Sequence, residues 1–548
     1  MNLRAKIGQM IVVRASGYLF DHQRRYPAWE ADNQTLQRWL TQLNLGGAIL
    51  LGGSAIEVKA RSQQLQSWAQ IPLFIAADIE EGVGQRFPGA TWLAPPMALS
   101  EIANQDLDLA VKYARGMGAI TAQEAIAIGI NWLLAPVVDV NNNPDNPVIN
   151  IRAFGEDSEM VCQLTTAFIE GAKSYPILTT AKHFPGHGDT ATDSHLDLPN
   201  IPHDNSRLTR VELPPFIKAI AAGVDSVMSA HLTIPAWDRE YPATLSEKIL
   251  TGKLREELGF EGLIVTDALI MGGVTKYATA EEMAVLAVTA GADILLMPED
   301  PEIAIESVYQ AVTSGKITEE RIDKSLQRIE KAKERLGLVY KTGEKGAGGD
   351  RGDGGDGEGF NFQSTIELLS QPTSIETAQD ILRYSRQTGG NLPLIVNNEQ
   401  AKRNLLVVDD VLNCSFLDLA APAIAIPQKL GYQRQVIDQN SLEQINNDSR
   451  QTLLQVFIRG NPFRGTAGLT ENAIAQYQLL LNSGNLEGLI IYGSPYVKDW
   501  FLSQMAVNLP WVFVYGQMNL AQEIALNSLF NLNLEPESAS NITDNFGF

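Results

Sequence analysis

Short apolar runs alternate with longer amphipathic stretches through the first 340 residues. The apolar runs are IGQMIVV from Ile7, LGGAILLG from Leu45, PLFIAAD from Pro72 and NWLLAPVVDV from Asn131. They continue with ILTTAKHF from Ile177, SVMSAH from Ser226, GLIVTDALI from Gly262 and ADILLMP from Ala292. Each is bounded by Gly, Pro or polar residues and lacks strict alternation, which is how a strand buried on both faces reads. Between them, helical patterns are predicted over 107–127, 159–172, 207–222, 246–258, 281–290 and 319–336. In the last of these, Ile322, Leu326, Ile329 and Leu336 recur at close to helical spacing. Eight strands with intervening helices predict an α/β fold, a (β/α)8 TIM-like barrel over residues 1–340. An open, doubly wound sheet is the alternative.

The pattern stops at 341–359, KTGEKGAGGDRGDGGDGEG. This stretch is glycine-rich, charged and free of large apolar residues, so it reads as a flexible linker. A phosphate-cradling glycine loop would need a strand before it and a Lys-Ser/Thr pair opening a helix behind it, and it has neither. After it, strand-like runs recur: NLLVVDDV from Asn404, PAIAIP from Pro422, LLQVFIRG from Leu453, LEGLIIYG from Leu486 and PWVFVYG from Pro510. Residues 360–548 are therefore expected to form a second α/β domain, a sandwich around an open sheet. Its tail from about Leu534 is polar and expected to fray.

Composition narrows the function. The 548 residues carry 42 basic and 64 acidic side chains, a formal net charge of −22. Such a surface disfavours nucleic acid, whose binders neutralise phosphates with Lys and Arg. Hydrophobic residues make up 45% and charged residues 19%, the profile of a globular chain. Neither a signal peptide nor an 18-residue apolar span is evident, so no membrane partner and a cytoplasmic location are expected. The two cysteines, Cys162 and Cys414, are too few for a disulfide framework or a cysteine zinc site. All six histidines lie between residues 22 and 231, so histidine chemistry belongs to the first domain.

The densest polar segment is KHFPGHGDTATDSH, from Lys182 to His195. It follows the fifth predicted strand, where a barrel carries its chemistry. Its Pro and Gly residues forbid a helix, so His183 and His187 do not share a helix face. Three readings compete. The polar groups could simply bond the loop to itself. His183, His187, Asp189 and His195 could hold zinc or iron, although their spacing matches no metalloenzyme motif. Or Asp193 and His195 could act as a pair, the carboxylate setting the imidazole tautomer and raising its pKa for acid/base work. A second candidate is Asp267 in IVTDALIM, at the end of the seventh strand. It is either a turn cap or a nucleophile able to attack an anomeric carbon. Asp78 and Arg86 in ADIEEGVGQRF, and Arg152 in NNNPDNPVINIRAFGED, could bond sugar hydroxyls or form surface ion pairs. His231, past the sixth strand, joins the same rim.

Together these residues resemble glycoside hydrolase family 3, and within it the bacterial β-N-acetylhexosaminidases. The resemblance covers most of residues 1–340. KHFPGHGDTATDSH is its most specific part; NPVINIRAFGED and TDALIM add to it. It implies Asp267 as nucleophile, His195 as acid/base and Asp193 as its orienting partner. It implies Asp78, Arg86, Arg152, Lys182, His183, His231 and Met271 as residues around the terminal sugar. One segment departs: where the family usually reads Asp-Gln-Glu-Gly-Gly-Arg, this chain has Asp78-Ile79-Glu80-Glu81-Gly82-Val83, so a different loop geometry is expected there.

The implied activity is that of a retaining exo-glycosidase removing terminal β-linked GlcNAc through a covalent glycosyl-enzyme, with no metal and no organic cofactor. The implied partner is a GlcNAc-containing oligosaccharide or a muropeptide fragment of peptidoglycan. The alternatives are a β-glucosidase or a GlcNAc phosphorylase of the same family, or a non-catalytic sugar-binding protein. The second domain carries no motif assignable to chemistry.

Overall fold

A computed structural model of the protein describes residues 1–191, 198–338, 362–396, 401–460 and 467–532. They form two compact units, the first running from Met1 to Ala378 and the second beginning at Gln379. The predicted linker, 341–359, and the tail from Leu534 lie outside the described residues.

All eight predicted strands of the first unit are present. They are β1 (Ile11–Ser16), β2 (Gly47–Leu51), β3 (Phe74–Ala77), β4 (Trp132–Leu133), β5 (Thr180–Phe184), β6 (Ser226–Ser229), β7 (Leu263–Thr266) and β8 (Leu295–Leu296). Two parallel sheets, β4-β3-β2-β1-β8 and β5-β6-β7, account for them. Parallel bridges Trp132–Leu178 and Val265–Ile294 join the sheets at both seams. The ring therefore closes in chain order, and the expected barrel is the fold. Strand residues are buried on both faces because side chains fill the interior and helices cover the outside. One interior polar cluster is fully bonded: the Trp132 indole N–H reaches the Thr180 and Ser226 hydroxyls at 2.9 and 3.1 Å.

The helices follow prediction with two adjustments, the first being that 246–258 is wound as a π-helix over Lys248–Glu257. Leu107–Ala127 begins where expected, capped by Asp106, whose carboxylate accepts the Leu109 N–H. The predicted helix 207–222 is two, Asn205–Arg210 and Leu213–Ala221. Pro214 and Pro215 open the second, since they lack the N–H a continuing helix would need. The first unit also extends past residue 340. The helix Phe362–Leu368 packs on Ala55–Trp68 and Leu107–Ala127. Just beyond it, the Ser370 N–H donates to the buried Glu124 carboxylate at 2.8 Å. The units thus divide after Ala378, not at the start of the predicted second domain.

The second unit carries a mixed six-stranded sheet in the order β11-β10-β12-β13-β14-β9. These strands are β9 (Gln387–Gly389), β10 (Lys402–Val407), β11 (Tyr432–Ile437), β12 (Gln451–Ile458), β13 (Leu486–Gly493) and β14 (Trp511–Val514). Five are parallel and β9 is an antiparallel edge. Four of the five predicted runs are strands. The fifth, PAIAIP, lies in the helix Pro422–Lys429. A six-residue apolar run does not distinguish a strand from a buried helical turn, and here Pro422 sits at the helix start. No helix among the described residues is long and apolar enough to cross a membrane.

Candidate active site

The C-terminal ends of β3, β4 and β5 bring together a lattice of opposite charges. Lys182 lies within β5 and is almost completely buried. Its ammonium contacts Asp78 Oδ1 at 2.8 Å and Glu80 Oε1 at 2.6 Å, both carboxylates following β3. Glu80 also takes a two-pronged contact from Arg152, Nε to Oε2 and Nη2 to Oε1, each 2.8 Å. Arg152 Nη1 donates to the Val148 carbonyl at 2.9 Å. Burial by itself would raise the Glu80 pKa, but the Arg152 and Lys182 charges outweigh it and hold the carboxyl well below the usual range. Burial likewise works against the charge on Lys182, and Asp78 and Glu80 overcome it, so its pKa is raised. Two cations and two carboxylates balance, and the cradle they form carries no net charge. Asp78, 37% exposed, is the member most open to a ligand. Arg86 turns back on this segment, its Nε donating to the Asp78 carbonyl at 3.0 Å. Its guanidinium thus shapes the β3 loop.

Next to this lattice, Asp139 organises the start of the β5 loop. Its Oδ2 lies 2.7 Å from His183 Nδ1, and its Oδ1 accepts the His187 backbone N–H at 2.7 Å. The His183 backbone N–H points at the same carboxylate. Burial would raise the Asp139 pKa, but the two histidines outweigh it and lower it. A carboxylate acceptor fixes a proton of His183 on Nδ1. The glycines are needed for this approach. A Cβ on Gly188 would meet the Val140 carbonyl oxygen at 1.8 Å; Gly186, at φ 129°, packs on Glu212. His187 is buried with its ring edge-on to His183, and its Nδ1 lies 2.9 Å from the Thr190 hydroxyl. Burial pushes its pKa down to about 4, against the pull of Asp139, so the imidazole is neutral at ordinary pH.

Asp193 and His195 lie outside the described residues. The loop on either side is pinned: His203 Nε2 and Asp189 Oδ2 are 2.6 Å apart, and Arg207 reaches both Asp189 and Glu212. The metal reading is changed by this arrangement. His183, His187 and Asp189 are each bonded to different protein partners. Among the described residues, Asp189, His203 and Glu212 are the trio close enough to share an ion. The Arg207 guanidinium already lies between two of them, an arrangement that disfavours a second cation there.

Asp267 follows β7, half-buried, with its backbone N–H on the Ser229 carbonyl and its Oδ1 accepting the Ala268 N–H at 2.7 Å. His231 is fully buried, with Nδ1 2.9 Å from the Thr244 hydroxyl and Nε2 3.0 Å from the Ala268 carbonyl. It therefore braces the peptide that follows Asp267. Met271, nearly buried, closes the same turn through its N–H on the Ala268 carbonyl. Sequence reasoning missed Glu80 and Asp139, the two carboxylates that bind the cradle together.

A neutral, hydrogen-bonding cradle beside a strand-end carboxylate suits an uncharged polyol with an electrophilic carbon. Comparison with known proteins gives the same class. Residues 2–332 match the glycosyl hydrolase family 3 N-terminal domain, and residues 395–531 match the bacterial glycosyl hydrolase family 3 C-terminal domain. β-Hexosaminidase A of Pseudoalteromonas piscicida is 34% identical over 332 residues, 55% of this chain and 55% of the relative. A β-N-acetylglucosaminidase/β-glucosidase of Cellulomonas fimi is 30% identical over 372 residues, 64% of each. The chain thus spans between half and two thirds of the length of these two relatives. The structure of a glycoside hydrolase family 3 β-N-acetylglucosaminidase from Paenibacillus sp. str. FPU-7 superposes with a TM-score of 0.76 at 28% identity, covering 97% of both chains. From the closed barrel, its rim of paired charges and these matches, it follows that the chain belongs to glycosyl hydrolase family 3.

Proposed function

We propose that the protein is a retaining exo-β-N-acetylglucosaminidase. The observation that carries this reading is the pairing of a charge-balanced cradle on the β3–β5 side with Asp267 after β7. Asp78, Lys182, Arg152 and His183 hold the hydroxyls of a terminal sugar. Asp267 attacks the anomeric carbon through an oxocarbenium-like transition state and forms the covalent glycosyl-enzyme. His195, charged and oriented by Asp193, protonates the departing oxygen, then takes a proton from the incoming water. An imidazole in that role avoids the like-charge repulsion that a second carboxylate beside Asp267 would bring. The names borne by the Cellulomonas and Paenibacillus proteins support the N-acetyl sugar. A muropeptide fragment with terminal GlcNAc, turned over in the cytoplasm, is the natural substrate in this reading.

The test is the initial rate on an aryl β-N-acetylglucosaminide beside the matching aryl β-glucoside, with chelator, and with and without phosphate. Strong preference for the N-acetyl substrate, insensitive to chelator, is expected. Preference for the glucoside would move the protein to another activity of the family. Stimulation by phosphate, with glycosyl phosphate as product, would replace hydrolysis with phosphorolysis. No turnover together with sugar binding would make it a lectin-like barrel.

A further inference from the structure

The chain that carries Asp193 and His195 leaves from one limb and returns on another, and neighbouring loops hold both limbs. The outgoing limb, 183–190, is fixed from the β4 side. The fully buried Asn146 amide donates to the His187 and Gly188 carbonyls at 2.8 and 2.9 Å. Its Oδ1 accepts the Val148 and Ile149 N–H groups, each at 2.9 Å. One side chain thus ties this limb to the segment leading to Arg152. The returning limb, 199–203, is fixed from the β6 side. Thr233, past that strand, donates its N–H to the Pro199 carbonyl at 2.8 Å, and its carbonyl accepts the Ile201 N–H at 2.9 Å.

The two limbs are joined side chain to side chain. His203 Nε2 and Asp189 Oδ2 lie 2.6 Å apart, and a carboxylate acceptor fixes a proton on that nitrogen. Arg207 Nη2 reaches the same oxygen at 3.4 Å, and its Nε donates to Glu212 Oε1 at 3.3 Å. Glu212 is buried, and Gly186 of the outgoing limb lies so close that a Cβ there would meet Glu212 Cβ at 2.9 Å. Asp189 and His203 are themselves 22% and 28% exposed, and an ion pair that water can screen contributes little to global stability. Its effect is local. Thirteen residues separate Asp189 from His203, and tying the ends of such a loop removes alternative paths from the chain between them. Asp193 and His195 stand inside that loop. A proton donor has to lie within hydrogen-bond reach of the departing oxygen, and a misplacement of about 1 Å costs on the order of a hundred-fold. Among the described residues, the Asp189–His203 contact is the side-chain bond that sets the span between the limbs.

We propose that Asp189 and His203 are positioning residues for the acid/base step, their contact fixing the span of the loop and with it the seat of His195. The proposal rests on the glycosidase reading above, with His195 as acid/base, and adds what holds that residue in place. The test uses the full-length protein and two aryl β-N-acetylglucosaminides. The dinitrophenyl leaving group departs without a proton; the phenyl leaving group needs one. Asp189→Ala and His203→Ala should lower kcat/KM on the phenyl substrate about ten- to a hundred-fold, and on the dinitrophenyl substrate less than about three-fold. The double variant should lose no more than either single one, since each removes the same contact. His203→Gln, whose side-chain N–H can stand where Nε2 stands, should recover most of the loss. Added azide should raise kcat of the alanine variants on the dinitrophenyl substrate. The anion attacks the anomeric carbon without a base, the bond to Asp267 breaks, and the glycosyl azide departs. A purely structural role would lower both substrates alike, with no azide effect. Where an alanine variant does not fold, Asp189→Asn, close to wild type in size, is read in the same way. His195→Ala separates the two levels of the argument. If it shows this substrate pattern and azide effect while the Asp189 and His203 variants lose equally on both substrates, or lose nothing, the positioning role is overturned and the glycosidase reading stands. Equal losses on both substrates in His195→Ala, or an inactive wild type, would overturn that reading and the positioning role with it.

Discussion

Asp139 binds the two histidines at the start of the β5 loop with one carboxylate, Oδ2 to His183 Nδ1 and Oδ1 to the His187 N–H, both at 2.7 Å. One residue therefore sets both the tautomer of His183 and the path of the loop leading to Asp193 and His195. Asp139→Asn keeps the size but presents an N–H₂ to one of these donors. We expect kcat to fall roughly ten- to a thousand-fold, as when an imidazole loses its orienting carboxylate. Steady-state kinetics with a circular-dichroism melt checks it; an active Asp139→Asn enzyme would assign Asp139 to folding alone.

Among the described residues, Glu80 is the carboxylate in ion-pair contact with Arg152 and one of two in contact with Lys182. Removing its charge breaks the two-pronged Arg152 pair and leaves Lys182 with Asp78 alone. Glu80→Gln should lower unfolding free energy by about 3–5 kcal/mol, the usual cost of breaking a buried pair from one side. Asp78→Asn, at a partly exposed position, should cost less. Since the Glu80 pKa is lowered on folding, its contribution is complete above the ordinary carboxylate pKa and is lost as pH falls through the lower, folded value. Urea titrations of the three proteins at pH 7 and pH 4 measure this. Equal stability of the two variants at pH 7 would contradict the pairing.

His187 is neutral down to about pH 4. It cannot supply a kinetic inflection near neutrality. In a pH profile of kcat/KM, an inflection there should persist in His187→Asn, whatever the loss in rate. It should vanish in His195→Asn if His195 is the acid/base. Loss of the inflection in His187→Asn would reassign the acid.

Lys333, on Glu319–Arg335, is fully buried, donates to Gln9 Oε1 at 2.7 Å and lies 5.1 Å from the Phe74 ring centre. Burial pushes its pKa down to about 7. The unfolded chain, with an ordinary lysine near 10.5, then binds more protons than the folded one between those values. Stability should rise with pH across that window. Lys333→Met should flatten the slope of thermal midpoint against pH between 7 and 10. An unchanged slope would show that another group causes it.

The strands of the first unit were legible because double burial demands unbroken apolar runs, and each such run is a strand. The second unit was harder to read. PAIAIP is apolar enough for a strand but helical, whereas YQRQVI is the edge strand β11, with polar residues that hid it. Asp78, Arg152, Lys182, His183 and Asp267 stood out in the sequence because strand ends concentrate chemistry, and the structure joins Asp78, Lys182 and Arg152 through Glu80 in one lattice of ion pairs. His231, read from the sequence as part of the same rim, is buried against the Thr244 hydroxyl and the Ala268 carbonyl, contacts that depend on which way a ring faces. Glu80 and Asp139 were missed because their partners stand 102 and 44 residues away in sequence. A signal existed for Asp139: a carboxylate inside the run VVDV is buried, and a buried carboxylate needs a partner.

The Ser370–Glu124 hydrogen bond gives a practical rule for dissecting the molecule. Glu124 is buried, takes three donors from Thr91 and Ser370, and has its pKa raised by that burial. A barrel cut at residue 340 would strip away Ser370 and uncover the patch of Ala55–Trp68 and Leu107–Ala127 on which Phe362–Leu368 packs. Trimming at 378 keeps that patch sealed. Insolubility of the shorter fragment would therefore report a torn surface seam, and only the longer one is a fair sample of what the barrel does alone.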